Sequence, residues 1–289
     1  MPIRLFQGLF FPQLIWYDET PMYQGYRIGA ILLMGGSGIR FGGQIPKQFC
    51  LLGGKPLYRH ALETFFESGV FDEIVLVCHP DWMRTIKDSP ALRLTSGGST
   101  RQESSRAGLN AFLHPPDLVL IHDAVRPFVT EEIIIANLDA AIAWGAADTC
   151  ISTADTLVYA PKRDWIDSIP KREEFLRGQT PQTFRYGLIV EAHMRAKEAG
   201  LSNISDDCRL LLEMGTRVAV VPGSEENLKV TSEFDLRVAE ALLMVAKNKI
   251  EKAEREDDGS DQKRRIDVPA RERASRKRGD DLADRPHRS

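Results

Sequence analysis

The segment Gly35-Gly36-Ser37-Gly38-Ile39-Arg40-Phe41-Gly42 follows directly on an apolar run and is itself followed by Pro46-Lys47-Gln48-Phe49. Glycines let backbone N–H groups come close to an anion and cradle a triphosphate, while Arg40 and Lys47 add charge where it builds up during group transfer. The spacing Gly36-x-Gly38-x-x-x-Gly42 does not fit the dinucleotide fingerprint GxGxxG, and no GxxxxGK[ST] phosphate loop is present, so both common nucleotide-binding patterns are disfavoured. A tight strand-to-helix turn with surface charges is the plain alternative. The second signal is His122-Asp123-Ala124-Val125-Arg126-Pro127, at the end of the apolar run Leu118 to His122. A carboxylate there can hold Mg²⁺ against a triphosphate and orient its α-phosphate, so Asp123 is the candidate metal ligand. Taken alone, Asp123 is equally compatible with a cap on the following turn. His122 reads as a packed or hydrogen-bonding residue, since no second His lies at ligand spacing.

These residues need a scaffold that delivers them to one place. From Gly29 short apolar runs alternate with amphipathic segments, the pattern of a mostly parallel sheet with helices on both faces. Strands are predicted at Gly29–Leu33, Glu73–Cys78, Arg93–Thr95, Leu118–His122 and Thr149–Ser152, with a sixth at Arg217–Val221. Leu57, Ala61, Leu62, Phe65 and Phe66 recur at helical spacing before Gly69, as do Ile133, Ile134, Asn137, Leu138, Ala141 and Ile142 after the N-cap candidate Thr130. Further helices are predicted at Arg101–Phe112, Arg185–Ala199 and Ser205–Glu213, and the last starts near Ser232. The fold class is therefore α/β, Rossmann-like and three-layered. In such sheets ligands gather at the carboxyl ends of the strands, which sets Asp123 and the glycine loop in one crevice.

Thr156 to Phe184 breaks the alternation. Two short β-like runs, Thr156–Tyr159 and Trp165–Ile169, flank Pro161-Lys162-Arg163-Asp164 and predict a projecting β-hairpin arm, about 154–184. The predicted organisation is an N-terminal extension over 1–26, one domain over 27–247 and a charged tail over 248–289. The tail mixes Lys, Arg, Asp and Glu with almost no large apolar side chains, so disorder is expected. The extension is a poor signal peptide, compatible either with an ordered arm or with an upstream addition to a chain starting at Met22.

A formal net charge of −3 over 289 residues gives no global basic excess of the kind a dedicated nucleic-acid binder carries. Cys50, Cys78, Cys150 and Cys208 form no CxxC pair, which argues against structural zinc and for reduced thiols. No apolar run approaches the roughly 20 residues of a membrane helix. A soluble, cytoplasmic protein is expected, and a small phosphorylated substrate remains compatible with this charge.

With these motifs the chain resembles the methylerythritol phosphate cytidylyltransferase family of the non-mevalonate isoprenoid pathway, over Arg27 to about Lys247. The resemblance is carried by the Gly36–Gly42 loop with Arg40, by Pro46-Lys47-Gln48, by Gly97-Gly98 with Arg101 and Ser104, and by His122-Asp123-Ala124 with Arg126-Pro127. Asp155-Thr156, Arg172, Thr180-Pro181-Gln182 and Asn227-Leu228-Lys229-Val230-Thr231 follow in family order. It implies that CTP is joined to a polyol phosphate, 2-C-methyl-D-erythritol 4-phosphate, with release of pyrophosphate. Arg40, Lys47 and Lys229 would act on the reacting phosphates. Gly35, Gly36, Gly38 and Ala124 would also contact CTP, with Gly98, Ser99 and Ser104 around the cytosine and Asp123 beside Mg²⁺ and the ribose. Arg126, Thr156 and Arg172 would hold the acceptor phosphate, the last two reaching in from the arm of a neighbouring subunit, which implies a homodimer.

The sequence also departs from the family pattern. Met34-Gly35 replaces a pair of small residues, Ser105-Arg106-Ala107 is unusual after Ser104, Ala154 stands where a polar residue is frequent, and Ser205-Asp206-Asp207-Cys208 is a variant helix start. Two rival readings are a ribitol-5-phosphate cytidylyltransferase, with the same chemistry and another acceptor, and a non-catalytic Rossmann-like interaction protein whose tail binds a partner.

Overall fold

The computed structural model describes residues 23–35, 45–86, 92–202 and 204–248. Residues 1–22 of the N-terminal extension, most of the glycine loop and the charged tail from residue 249 lie outside the described residues. Along the chain come β1 (Ile28–Met34), a 3-10 turn (Lys47–Phe49), the small ladder β2 (Leu51–Leu52) and β3 (Lys55–Pro56), α1 (Leu57–Ser68), β4 (Glu73–Cys78), α2 (Pro80–Met83) and β5 (Leu92–Ser96). Then follow α3 (Arg101–Leu109), β6 (Leu118–Asp123), α4 (Glu131–Trp144) and β7 (Ala146–Ser152). Next are a 3-10 turn (Arg172–Glu174), β8 (Leu176–Arg185), α5 (Tyr186–Glu198), α6 (Asp207–Glu213) and β9 (Ala219–Pro222), and residues 233–248 are helical. Outside the expected arm, every predicted strand and helix is present with bounds matching to within about three residues at each end, while β2, β3, α2 and β8 have no predicted counterpart.

All seven residues of β1 are buried, as expected of a strand covered on both faces. Its side chains alternate between two cores. Ala30, Leu32 and Met34 pack with Phe65, Leu120 and Leu138 on the face covered by α1 and α4. Ile31 and Leu33 pack with Leu109, Ile189 and Leu211 on the face covered by α3, α5 and α6. Gly108 lets α3 lie close on the sheet, since a Cβ there would fall 2.7 Å from Ile31 Cγ2. Helix ends follow local chemistry: the Thr130 hydroxyl accepts from Ile133 N to open α4, and Gly145, at φ 90°, closes it.

The sheet runs β5-β4-β1-β6-β8-β7-β9. β1 is parallel to both β4 and β6, and the chain leaves β1 towards β4 and β5 before returning to β6 on its other side. The strand order therefore reverses between β1 and β6, and their carboxyl ends open onto the crevice where such folds take ligands. In register, Leu33 lies beside Asp123.

Two expectations require correction. The arm expected over 154–184 takes in all of β8 but its last residue, and β8 instead fills the gap between β6 and β7, antiparallel to both, with Gln179 to Phe184 buried in the sheet. Apolar and polar residues mix in β8 because Gln179, Thr180 and Gln182 serve a buried hydrogen-bond network, so the periodicity of an ordinary core strand is missing. The remaining arm is not a regular hairpin either: Tyr159 and Ser168 form a single isolated antiparallel bridge.

Candidate active site

Asp123 ends β6 at the crevice and is 7% exposed. Its backbone N–H donates to Thr180 Oγ1 (3.1 Å), and the following Ala124 N–H donates to Leu33 O (3.0 Å), so the turn is fixed to both neighbouring strands. Lys229 Nζ lies 2.7 Å from Asp123 Oδ2 and Arg101 Nε 3.6 Å from Oδ1. Burial opposes the charge on Asp123, but Arg101, Lys229 and Arg126 overcome that cost and hold its carboxyl well below the usual range. The carboxylate is thus ionised under all ordinary conditions.

Each cation arrives on a braced segment. Arg101 opens α3, whose N-terminus carries a reciprocal capping box between Thr100 and Glu103. Lys229 follows Asn227, which is fully buried and donates from Nδ2 to Thr180 O (2.8 Å), and Val230 N–H donates to Val125 O (2.8 Å). Lys47 stands on the 3-10 turn that Gln48 ties to the end of β1 through Nε2–H to Met34 O (2.7 Å). Phe49 stacks on Trp82 with ring centroids 4.9 Å apart, which anchors that turn.

Among the described residues, Gly35, Lys47, His79, Gly98, Ser99 and Arg101 line, together with Ser104, Asp123 and Lys229, a cleft of about 450 Å³. Gly97 and Gly98 allow its tight floor: a Cβ on Gly97 would meet Ser104 Oγ at 2.9 Å, and one on Gly98 would meet Glu103 Cβ at 2.3 Å. The Ser99 hydroxyl donates to Glu103 Oε2 (2.6 Å) and that of Ser104 to Thr100 O (2.9 Å), so both also brace the wall they form.

The structure therefore brings together Gly35, Lys47, Gly98, Ser99, Ser104, Asp123 and Lys229. Gly36, Gly38 and Arg40 lie outside the described residues. Arg126 is 8% exposed and donates to Asn227 O (2.8 Å), a buried strut behind the cleft. Thr156 and Arg172 are exposed and do not line the cleft of their own chain. Arg172 donates to Ala154 O (2.9 Å) and pairs with Glu173.

His122 is fully buried. The Thr180 hydroxyl lies 3.0 Å from its Nδ1, and its Nε2 lies 3.1 Å from Arg126 O. Burial draws it down to about 4, so at neutral pH the ring is an uncharged brace. Sequence reasoning assigns no role to Arg101 beyond its place in a motif, and none to Thr180 beyond the same. The available signal is Thr100-Arg101 at a helix start beside two glycines, but the hydrogen-bond partner of Arg101, Asp207, lies more than 100 residues away.

No group of three or more His, Cys, Asp or Glu side chains among the described residues could hold a metal ion. Asp123, the one carboxylate among the described residues that line the cleft, fits Mg²⁺ bound chiefly through substrate phosphates and water rather than a dedicated protein cage. All four cysteines are free thiols, and no helix among the described residues is long and apolar enough to cross a membrane.

The model of the 2-C-methyl-D-erythritol 4-phosphate cytidylyltransferase family (IspD) matches residues 28–245. A protein of Lactiplantibacillus plantarum named ribitol-5-phosphate cytidylyltransferase is 36% identical over 229 residues, covering 75% of this chain and 98% of its own. The structure of 4-diphosphocytidyl-2C-methyl-D-erythritol synthase from Anaerococcus prevotii superposes with a TM-score of 0.67 at 30% identity, covering 75% of this chain and 98% of that one. That of 2-C-methyl-D-erythritol 4-phosphate cytidylyltransferase from Thermus thermophilus gives 0.63 at 33%, covering 74% and 98%.

Proposed function

The chain belongs to the 2-C-methyl-D-erythritol 4-phosphate cytidylyltransferase family and is a cytidylyltransferase acting on CTP and a sugar-alcohol phosphate; from that premise we propose that its acceptor is 2-C-methyl-D-erythritol 4-phosphate. An oxygen of the acceptor phosphate attacks the α-phosphorus of CTP, the bond to the β-phosphate oxygen breaks, and pyrophosphate leaves. This in-line exchange needs no protein nucleophile, only alignment and stabilisation of developing negative charge.

The observation that carries the reading is Asp123, buried and ionised between Lys229 and Arg101 in a cleft that Lys47 also lines. Lys47 and Lys229 supply fixed positive charge to the phosphates, a role Arg40 shares. Gly35, Gly36 and Gly38 give the nucleotide close backbone approach, and Gly98, Ser99 and Ser104 hold the base; Ala124, expected at CTP, is instead fully buried outside the cleft lining, its N–H taken up by Leu33 O. Bound Mg²⁺ would neutralise phosphate charge, and Asp123 is the residue that would hold it. Thr156 and Arg172 grip the acceptor phosphate from a second subunit, with Arg126 bracing the turn behind it. Their exposure, and their place outside the cleft lining of their own chain, support that homodimeric arrangement.

A second acceptor, ribitol 5-phosphate, is favoured by the name of the 36% identical relative from Lactiplantibacillus plantarum. Pyrophosphate release measured with each acceptor at matched concentrations separates the two. A kcat/KM at least about tenfold higher with methylerythritol phosphate is expected. A preference for ribitol phosphate would reassign the acceptor and leave cytidylyl transfer intact.

A further inference from the structure

Two of the departures from the family pattern meet in space. Ser105, from the unusual stretch after Ser104, donates its hydroxyl to Asp207 Oδ2 at 2.9 Å, and Asp207 comes from the variant helix start at α6. Asp207 is 1% exposed. Its Oδ2 also accepts from Arg101 Nη1 at 2.6 Å, and its Oδ1 lies 3.2 Å from His193 Nε2. Together these contacts fix the carboxylate from three sides. Arg101 thus stands between two carboxylates, in hydrogen-bond contact with Asp207 and only in an ion pair with Asp123, at 3.6 Å.

That asymmetry matters because a guanidinium beside a carboxylate ordinarily closes into a short, two-bond pair. Asp123 already accepts from Lys229 on Oδ2. A second close cation on Oδ1 would compete directly with any ligand on the substrate side. We propose that Asp207 is a positioning residue that holds Arg101 back from Asp123, so that Oδ1 of Asp123 stays available to the nucleotide and its accompanying divalent cation. Ser105 and His193 keep Asp207 itself in place. The inference rests on the reading of Asp123 as the carboxylate that faces the nucleotide and metal.

The test is calorimetric titration of the full chain with CTP, with and without Mg²⁺, for the wild type, Asp207→Asn, Asp123→Asn and the double variant. In the wild type Mg²⁺ tightens CTP binding. Asp207→Asn frees Arg101 to close on Asp123, so the enhancement by Mg²⁺ falls about tenfold, while CTP affinity without the metal changes much less. In the Asp123→Asn background the second substitution changes the Mg²⁺ enhancement no further, whereas a merely structural defect would weaken binding equally in both backgrounds. Asp207→Glu, which keeps the charge, restores most of the enhancement. Should Asp207→Asn fail to fold, Ser105→Ala loosens the same carboxylate more gently and should lower the enhancement about threefold. Binding that ignores Mg²⁺ in the wild type overturns the reading of Asp123 as metal-facing and the inference with it. Mg²⁺-dependent wild-type binding with an unchanged enhancement in Asp207→Asn overturns the role of Asp207 alone.

Discussion

The cleft and the segment 153–175 solve opposite problems. In the cleft, charged side chains are placed by buried polar neighbours: Gln48 behind Lys47, Asn227 behind Lys229, and Asp207 behind Arg101, each no more than 1% exposed. The segment places almost nothing by burial. Val158, Tyr159, Trp165, Ile166 and Ile169 are all more than half exposed, and Tyr159 with Ser168 supplies the one isolated bridge within it. A site that stabilises developing charge has to be rigid before substrate arrives, because reorienting dipoles during the reaction costs what they would gain. A run of apolar side chains facing water instead marks a surface that meets another molecule. The cleft holds its fixed charges within one chain, and the segment is the surface on which the proposed second subunit would lie.

The largest effects should fall in the cleft. Lys47→Ala and Lys229→Ala are each expected to lower turnover about 10² to 10³-fold, the usual consequence of losing one preorganised group at the reacting phosphates. Pyrophosphate release alongside a thermal melt checks this. A folded variant with near-normal turnover would remove that lysine from the chemistry.

The comparison is sharpened by mixing subunits. If Arg172 serves the partner's site and Lys47 its own, Lys47→Ala and Arg172→Ala are each nearly inactive alone. Random pairing makes half of the co-refolded dimers mixed, each with one intact site of two, so roughly a quarter of wild-type activity should return. Verified heterodimers that stay inactive would sink the shared site.

The sequence declared the cleft and the central strands, but not the strand between them. β1, β4 and β6 are built on short apolar runs buried on both faces, and their length and β-branched content mark them as strands. The loop from β5 into α3 was legible from its glycines and from the helix start at Arg101. β8 was not legible, because Thr180, Gln182 and Thr183 are buried polar residues, and the hydrogen bonds of the strand run to β6, β7 and the segment before the final helix. The braces Asp207 and Asn227 escaped for the same reason. Their roles depend on contacts about 50 to 100 residues distant in sequence, and no local period encodes those. What could be read locally was the residue that lines the cleft, and what could not was the residue holding it there.

Stability should divide along the same line. Phe65 is 1% exposed and packs on Phe71 with ring centroids 4.9 Å apart, so Phe65→Ala should cost about 3 to 5 kcal/mol in urea unfolding. Trp165 is 79% exposed, and Trp165→Ala should cost less than about 0.5 kcal/mol at low protein concentration. A Trp165→Ala cost that grows with protein concentration would show a second chain covering the segment. A large cost independent of concentration would show that the segment supports its own chain, and the contrast between the two regions would fail.

The smallest of these contrasts concerns Asp148, on β7 where the sheet passes from the cleft towards the segment. Gln182 Nε2 is shared between Asp148 Oδ1 at 3.0 Å and both carboxylate oxygens of Asp206 at 2.9 Å. Burial pushes Asp148 up to about 6; the Gln182 hydrogen bond opposes the rise and the charge of Asp206 adds to it. The folded protein therefore holds the Asp148 proton more tightly than the unfolded chain, whose aspartates titrate near about 3.9. Stability linked to this group is fully present below about pH 4 and is lost as pH rises through about 6, because burial then disfavours the ionised Asp148 carboxylate. Asp148→Asn removes that penalty and keeps an oxygen to accept from Gln182. Relative to wild type the variant should gain little at about pH 4 and up to roughly 2 to 3 kcal/mol at about pH 8. Urea unfolding of both proteins at the two pH values measures the difference, and the comparison cancels other titrating groups such as His122, whose depressed value acts in the opposite direction. An equal effect at both pH values would mean that Asp148 is ionised in the fold without penalty, and that Gln182 alone is enough to hold the two carboxylates together.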